Sequence, residues 1–307
     1  MRTPPGPSVT VQSVLYCNGR DDVTRMVTGI ANAVKAARQF DAVGRVVINI
    51  GDCSPTPMLT GAQLDELRDK VEPWGISEMT YEFFADNLGS AAGHNRLLSR
   101  FASDFVLFLN PDTFASPFML YELGLALVDP SVGIAEARQV PLEHPKSYDH
   151  LTGDTSWAST AGCLVKRQVV DAVEGFDADA FFLYCDDVDF SWRARLAGFR
   201  VVLQPTARLF HDKRLTIDAV METGDAEFYY SAEAALMLAW KYSRPDLVDL
   251  WLDALLSSPF EHWVRAATAF AERKQKGGWL PVPIDPKGAV AHFVGMNFAD
   301  HRFLYSD

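Results

Sequence analysis

Short apolar runs alternate with amphipathic stretches through the first third of the chain. Apolar runs that end in polar loops predict strands, and apolar residues recurring every three or four positions predict helices. The predicted strands cover 9–16, 45–50, 79–84 and 105–109, and the predicted helices cover 22–40, 60–71 and 90–101. This alternation predicts an α/β fold, with a mostly parallel central sheet flanked by helices.

The pattern changes near residue 215. Three further stretches, 226–242, 245–258 and 260–276, have the periodicity of helices. We therefore divide the chain into an α/β domain, residues 1–214, and a C-terminal helical extension, residues 215–307. The extension could complete a core, form an oligomer interface such as a homodimer, or lie on a membrane surface.

Composition and charge narrow the possible functions. The chain has 307 residues, of which 48% are hydrophobic, and a formal net charge of -12. An acidic surface argues against a nucleic-acid partner and gives no support for binding to anionic lipid. No secretory signal and no apolar run of the ~18 residues that span a bilayer is visible. The four cysteines are scattered, so we expect a cytoplasmic protein, with peripheral association at the inner face of the membrane left open.

Polar residues follow the predicted strand 105–109, where ligands bind in sheets of this type. The strand ends in Asn110-Pro111-Asp112, which places Asp112 at the carboxyl edge of the sheet. A carboxylate there can bind a hard divalent cation, and the cation can hold a phosphate. Asp112 could instead cap the helix that follows.

A glycine-rich turn lies between the predicted strand 79–84 and the next helix. Its polar and small residues are Asn87, Gly89, Gly93 and Asn95. Glycines allow close approach of the backbone, and the free amides of a helix start favour an anion. The alternative is an ordinary turn.

Three aspartates occur within four positions, at Asp186, Asp187 and Asp189. They begin a helical pattern, so the helix dipole favours them. Asp189 and Arg193 are spaced as an i,i+4 ion pair. Two neighbouring carboxylates beside aromatic residues can also provide a base with a tuned pKa. A capped acidic helix start is the alternative.

Taken together, these segments resemble the family 2 inverting glycosyltransferases of GT-A fold, in particular the rhamnosyltransferase and galactofuranosyltransferase-like members. The resemblance covers about residues 9–212. It is carried by "NLGSAAGHN" (87–95), "FLNPDT" (108–113), the segment "TAGCLVKR…GFDADAFFLYCDDVDFSWRARLAGF" (160–199) and "PTARLFH" (205–211).

The resemblance implies roles for individual residues. Asp112 matches the metal-binding acid, with Asn110 in the place of the first acid of that motif. His211 matches the histidine that completes the metal site, so Mn²⁺ or Mg²⁺ is the implied cofactor. Asp187 matches the catalytic base, and Asp186 replaces the usual glutamate beside it.

The resemblance also implies a nucleotide-sugar donor, of the dTDP-rhamnose or UDP-sugar type. The family often has an aspartate that holds the nucleobase where this chain has Gly51, and Asp52 follows one place later. The implied donor-binding residues are Asp52, Asn87, Gly89, Asn95, Asn110 and Asp112.

The segment 154–162 borders the acceptor site in the family, which makes Trp157 and Thr160 candidate acceptor contacts. Trp157 could equally be a packing residue. The acceptor would be a carbohydrate, a lipid-linked molecule or a small molecule, and bacterial polysaccharide or glycoconjugate synthesis is the implied setting. The C-terminal helices could then cover the acceptor cleft.

Two other functions fit parts of the sequence. A glycoside hydrolase would need two carboxylates flanking one bond at ~5–9 Å, whereas Asp186 and Asp187 project from one turn. A catalytically weak sugar-nucleotide-binding subunit of the same fold is permitted by the departure at Gly51. Retention of Asp112, Asp187 and His211 favours an active enzyme.

Overall fold

The structure is a computed structural model that describes residues 6–142, 146–212, 224–294 and 298. Its strands are β1 Val9–Leu15, β2 Val46–Asp52, β3 Glu78–Phe83, β4 Phe105–Leu109, β5 Thr113–Ala115, β6 Val132–Val140, β7 Gly162–Lys166 and β8 Arg200–His211. Its helices are α1 Arg20–Arg38, α2 Gly61–Val71, α3 Gly89–Leu98, α4 Met119–Ala126, α5 Arg167–Val173, α6 Asp186–Leu196, α7 Asp225–Lys241, α8 Pro245–Leu256 and α9 Glu261–Lys276.

The eight strands form one sheet in the order β3-β2-β1-β4-β7-β6-β8-β5. The pairs β3-β2, β2-β1, β1-β4 and β6-β8 are parallel, while β7 and β5 run antiparallel to their neighbours. The predicted fold class, a mostly parallel sheet flanked by helices, is therefore confirmed.

The predicted helices and strands of the first third agree with the structure to within three residues at each end. Thr60 caps α2, because its hydroxyl accepts a hydrogen bond from the backbone amide of Gln63 at 3.4 Å. Strand β6 is not predicted from the sequence, although its residues are almost all buried. Its sequence, "VGIAEARQV", places two charged residues in an apolar run, which hides the strand pattern.

The three C-terminal helices begin and end close to their predicted limits. They pack on α6, where Trp192 and Tyr242 meet edge to face at 4.7 Å between ring centroids. Leu236, Val248 and Phe270 are fully buried in the same hydrophobic cluster as Val188 and Trp192. The extension therefore completes a core beneath α6.

Within the described ranges, no helix has both the length and the apolar character needed to cross a bilayer.

Candidate functional site

The candidate residues collect at one edge of the sheet, because parallel strands present their carboxyl ends together. Asp52 ends β2, the Asn110–Asp112 turn follows β4, and His211 ends β8. Strand β7 is antiparallel, so its first residue, Gly162, meets Leu109 at the same edge. The candidate residues that follow or end β2, β4 and β8 are thus brought to one edge of the sheet.

An unusual backbone conformation precedes α6. Tyr184 and Cys185 both have positive φ angles, of 67° and 55°. Non-glycine residues adopt this left-handed conformation rarely and at an energetic cost, so the surrounding structure must hold it. The two residues turn the chain sharply into the first turn of α6, where Asp186 and Asp187 lie.

The two carboxylates at the start of α6 have different surroundings. Asp186 is 4% exposed, and its Oδ2 has no hydrogen-bond partner among the described residues. Burial raises the pKa of Asp186, while a hydrogen bond from the Ser90 side chain lowers it. Asp187 is partly exposed, and its Oδ1 accepts the Val188 amide hydrogen at 2.8 Å.

The environment of Asp187 suits a general base. Partial removal from water raises the pKa of Asp187 to about 7, and the negative charge of Asp186 adds to that rise. The ammonium group of Lys146 and the Val188 amide oppose it, and Glu136 adds a further negative charge. A carboxylate that titrates near neutral pH can both accept and release a proton.

Asp189 has a structural role, as its spacing from Arg193 predicts. Its Oδ2 accepts from Arg193 Nε at 2.7 Å, and its Oδ1 pairs with Lys241 Nζ at 2.6 Å. Tyr242 also donates its hydroxyl hydrogen to the Asp189 carboxylate, at 3.2 Å. These contacts tie the first turn of α6 to the end of α7, and Asp189 is fully buried.

Asp112 and His211 come together as predicted, through the pairing of β5 with β8. The Nε2 atom of His211 lies 3.3 Å from Asp112 Oδ1. The Nδ1 atom of His211 lies 2.8 Å from the side-chain oxygen of Gln139, on β6. The side-chain oxygen of Gln139 can only accept a hydrogen bond. The Nδ1 atom of His211 therefore carries a hydrogen and donates a hydrogen bond to Gln139.

This arrangement fits a divalent cation. In the neutral imidazole Nε2 then has a lone pair, and that lone pair faces a carboxylate oxygen. Two facing acceptors need a proton or a cation between them, and an imidazole with a carboxylate suits Mn²⁺. The described residues contain no group of three or more His, Cys, Asp or Glu side chains that could hold a metal. Asp112 and His211 are the two side chains that would hold a cation here, and their role as metal ligands stays a prediction.

The glycine-rich turn packs directly on the segment before α6. Gly89 has a φ of +71°, and a Cβ there would lie 2.3 Å from the Phe182 carbonyl oxygen. Ser90 N donates to that same oxygen at 3.0 Å. Asn87 is exposed, and its Oδ1 accepts from Gly89 N at 3.2 Å. The turn is thus fixed against the start of the catalytic candidate helix.

The side chain of Asn95 also contacts the segment that leads to α6. Its amide nitrogen donates to Phe176 O at 2.7 Å, and its amide oxygen accepts from Phe176 N at 2.8 Å. Both polar groups therefore hold the loop that leads to α6. The predicted donor contact of Asn95 stays a prediction, and the structure gives this side chain a positioning role.

The end of β2 leaves no room for a side chain at Gly51. A Cβ on Gly51 would lie 2.3 Å from the Phe84 ring, so no side chain fits there. Asp52 is fully buried, and its carboxylate accepts from Ser54 N and Met58 N, each at 2.8 Å.

The phenol of Tyr81 also donates to Asp52 Oδ2. The Asp52 carboxylate therefore orders the loop of residues 53–58. The contact of Asp52 with a donor stays a prediction.

The two acceptor candidates are both buried. Trp157 is 1% exposed and lies in the hydrophobic cluster under α6, as its packing alternative predicts. Thr160 is 8% exposed, in a turn whose Ala161 carbonyl accepts from Asn110 N at 3.1 Å. The turn is therefore beside the Asn110–Asp112 segment, although neither side chain is open to an acceptor in this structure.

Sequence reasoning missed a buried ion pair near Asp187. Lys146 Nζ lies 2.6 Å from Glu136 Oε2, with side-chain exposures of 4% and 1%. The same ammonium donates to Trp157 O at 3.0 Å and lies 3.7 Å from the centre of the Trp157 ring. A glutamate inside the apolar run of β6 is the one sequence signal that could have indicated it.

No protein-family model and no curated protein sequence matches the chain. Solved structures do match. The mannosyltransferase PcManGT from Pyrobaculum calidifontis, in complex with GDP-Man and Mn²⁺, has a TM-score of 0.54 at 16% identity, over 89% of this chain and 82% of that one. Residues 1–349 of TarS from S. aureus give a TM-score of 0.51 at 12% identity, over 87% and 73%.

GalNAc-T7, in complex with UDP, GalNAc and Mn²⁺, has a TM-score of 0.58 at 9% identity, over 90% of this chain and 59% of that one. At these identities the likeness shows the fold alone. The chain therefore has the GT-A fold of these glycosyltransferases.

Proposed function

We propose that the protein is an inverting glycosyltransferase that moves a sugar from a nucleoside-diphosphate donor to an acceptor hydroxyl. The observation that carries this proposal is the placement of Asp187. On a fold shared with glycosyltransferases, a carboxylate with a pKa near 7 begins α6, and Asp112 and His211 meet at the carboxyl edge of the sheet. The rhamnosyltransferase and galactofuranosyltransferase-like group is the proposed subgroup.

The proposed chemistry is a single displacement. Asp187 accepts the proton of the acceptor hydroxyl as that oxygen attacks the anomeric carbon, opposite the leaving diphosphate. Oδ1 of Asp187 is held by the Val188 amide, which orients the carboxyl group. Asp186, inside the same turn, keeps a negative charge or a shared proton next to the base and so adjusts the proton affinity of Asp187.

Asp112 and His211 are the residues that would hold Mn²⁺ or Mg²⁺. When bound, the cation would neutralise charge on the diphosphate, and this would make the diphosphate a better leaving group. Gln139 holds the His211 ring and keeps its Nδ1 protonated, so Nε2 is available as a ligand. Asn87, Gly89 and Asn110, at the same sheet edge, are the proposed donor contacts.

Partners and location belong to the same proposal. The acceptor is a carbohydrate, a lipid-linked molecule or a small molecule, and the reaction takes place in the cytoplasm or at the inner face of the membrane. A homodimer through the C-terminal helices is compatible with exposed apolar side chains such as Leu250 and Phe260.

A donor screen tests the proposal directly. The melting temperature is measured with dTDP-, UDP- and GDP-sugars, each with and without Mn²⁺ or Mg²⁺, because a ligand that binds the folded state stabilises it. We expect one sugar nucleotide to stabilise the protein, more so with the cation, and Asp112→Ala to remove the effect of the cation. Binding without transfer to any acceptor would favour a non-catalytic binding subunit, and hydrolysis of glycosides without a nucleotide would overturn the proposal.

A further inference from the structure

The last residue of α7, Lys241, has a buried ammonium group that contacts two carboxylates. Its side chain is 6% exposed, and Nζ lies 2.6 Å from Asp177 Oδ2 and 2.6 Å from Asp189 Oδ1. Burying a charge is unfavourable unless it is paired, and a buried ion pair contributes little to stability over apolar residues of similar size. Stability alone is therefore a weak reason for this cluster, and the segment that it joins indicates another one.

The two carboxylates lie at the two ends of the segment 177–189, which leads into α6 and carries both proposed catalytic aspartates. At its beginning, the carbonyl of Asp177 accepts from the Phe181 amide at 3.0 Å. At its end, the Asp189 amide donates to Cys185 O at 2.9 Å, which closes the first turn of α6. One ammonium group of the C-terminal extension thus joins the beginning of this segment to its end.

The backbone inside the segment has an unfavourable conformation. Tyr184 and Cys185 have left-handed φ angles, which non-glycine residues adopt only where the surrounding structure imposes them. The proposed base, Asp187, comes two residues after Cys185. The glycine-rich turn fixes the middle of the segment, because the Phe182 carbonyl accepts from Ser90 N at 3.0 Å. The ammonium group fixes the two ends.

We propose that Lys241 is a positioning residue: it joins Asp177 to Asp189 and so keeps the turn before α6 in the conformation that places Asp187. This inference rests on the proposed function for its meaning in catalysis. It also gives the C-terminal extension a part in the candidate site, because the ammonium group belongs to α7.

Loss of the ammonium group should affect the two ends of the segment unequally. Asp189 is fully buried and keeps its contact with Arg193 Nε at 2.7 Å. Asp177 is partly exposed and would face a carboxylate of the same charge, so it should turn towards water. The beginning of the segment should therefore open, while α6 stays in place.

The test measures the alkylation rates of two buried cysteines by mass spectrometry of their peptides, without donor or acceptor. Cys185 is 3% exposed and lies in the segment, and Cys163 is 2% exposed and lies on β7. The thiolate is the reactive form, and burial raises the pKa of both thiols, so each reacts when its part of the protein opens. Opening of the segment exposes Cys185 alone, whereas global unfolding exposes both cysteines.

We expect Lys241→Met to raise the alkylation rate of Cys185 by about tenfold or more, and that of Cys163 by much less. Asp177→Asn leaves the ammonium group with Asp189 and should raise the Cys185 rate by a smaller factor, about fivefold. The double variant should be no more reactive at Cys185 than Lys241→Met, because both changes break the same contact. An unchanged Cys185 rate, or an equal rise at both cysteines, would overturn the inference.

Arg273→Met is the control, because Arg273 pairs with Glu233 at 2.7 Å between α9 and α7. Loss of this pair should leave the ratio of the two alkylation rates as it is in the wild type. Asp177→Asn decides the question if Lys241→Met does not fold, since a partly exposed side chain is replaced there by one of the same shape.

A transfer assay tests the meaning for catalysis separately. Lys241→Met should lower kcat more than it raises the KM of the donor, because the base moves and the cation site at Asp112 does not. An unchanged kcat in a variant with a reactive Cys185 would overturn the role of Lys241 in catalysis. Since alkylation uses no substrate, a wild-type protein that transfers no sugar would count against the proposed function and leave the alkylation result intact.

Discussion

The Nε2 atom of His211 lies 3.3 Å from Oδ1 of Asp112, while the other ring nitrogen donates to Gln139. Residues that are 99 positions apart in sequence thus meet because β5 pairs with β8, with Thr113 opposite His211. The hydrogen bond to Gln139 selects the tautomer whose Nε2 lone pair points to the carboxylate. The proposed cation would therefore meet an imidazole nitrogen and a carboxylate oxygen that already face each other.

Replacing Gln139 should weaken the metal site without removing a ligand. In Gln139→Leu the His211 ring loses its orientation and its fixed tautomer, and such outer contacts are typically worth about 10–100-fold in metal affinity. Mn²⁺ affinity is measured by electron paramagnetic resonance of the free ion. Gln12→Leu is the control, since Gln12 is also buried and holds another imidazole, that of His94, at 3.1 Å. Equal Mn²⁺ affinity in both variants would contradict the role of Gln139.

Asp187→Asn should abolish most sugar transfer and preserve donor binding. The amide cannot accept the proton of the acceptor hydroxyl, and general-base assistance is worth about 10²–10⁴ in rate. In the wild type kcat/KM should rise with pH through the pKa of Asp187, about 7, because the charged form is the base. The measurement is a pH profile of transfer with calorimetry of the donor. Near-normal turnover by the variant would remove Asp187 from this role.

Stability should fall as the pH rises from about 4 to about 7. The folded-state pKa of Asp187, about 7, is above its ordinary value of 3.8, so between these values the folded protein binds more protons than the unfolded chain. The free energy of unfolding therefore decreases with pH over this window. Because Asp187 is partly exposed, we expect its share to be only about 1–3 kcal/mol.

Urea unfolding at several pH values, in the absence of metal, measures this dependence. Asp187→Asn should have a smaller slope in the window from about pH 4 to 7, since the amide does not titrate. A variant with the same slope as the wild type would show that Asp187 ionises normally in the folded state.

Gly51→Ala should destabilise the protein by about 1–3 kcal/mol through overpacking. The new Cβ would lie 2.3 Å from the Phe84 ring and 3.1 Å from Leu97. Gly61→Ala is the control, because a Cβ at this first residue of α2 would meet nothing within 4 Å, and its effect should stay within about 0.5 kcal/mol. Urea unfolding gives both values, and equal stabilities of the two variants would contradict the packing argument.

The fold class could be predicted from the sequence because strand and helix periodicities are local. The apolar run 105–109 and the helical stripe of 22–40 need no tertiary information to be recognised. The i,i+4 pair of Asp189 and Arg193 was predicted for the same reason and is confirmed at 2.7 Å. Strand β6 is not recognisable in the sequence because Glu136 and Arg138 break its apolar pattern, and the burial of Glu136 depends on Lys146, a partner outside the strand.

The sequence by itself determined which reactive side chains the protein has and which elements carry them. These are a carboxylate after β4, an acidic start of α6 and a histidine at the end of β8. Only the tertiary structure decided which of these polar groups hold the fold in place and which face the candidate site. Asp52, Asn95 and Trp157 have the residue types of ligand contacts, yet packing and backbone hydrogen bonds occupy them. Charge acts through space rather than along the chain, so the pairing of Lys146 with Glu136 could be recognised only once folding had buried the two side chains together.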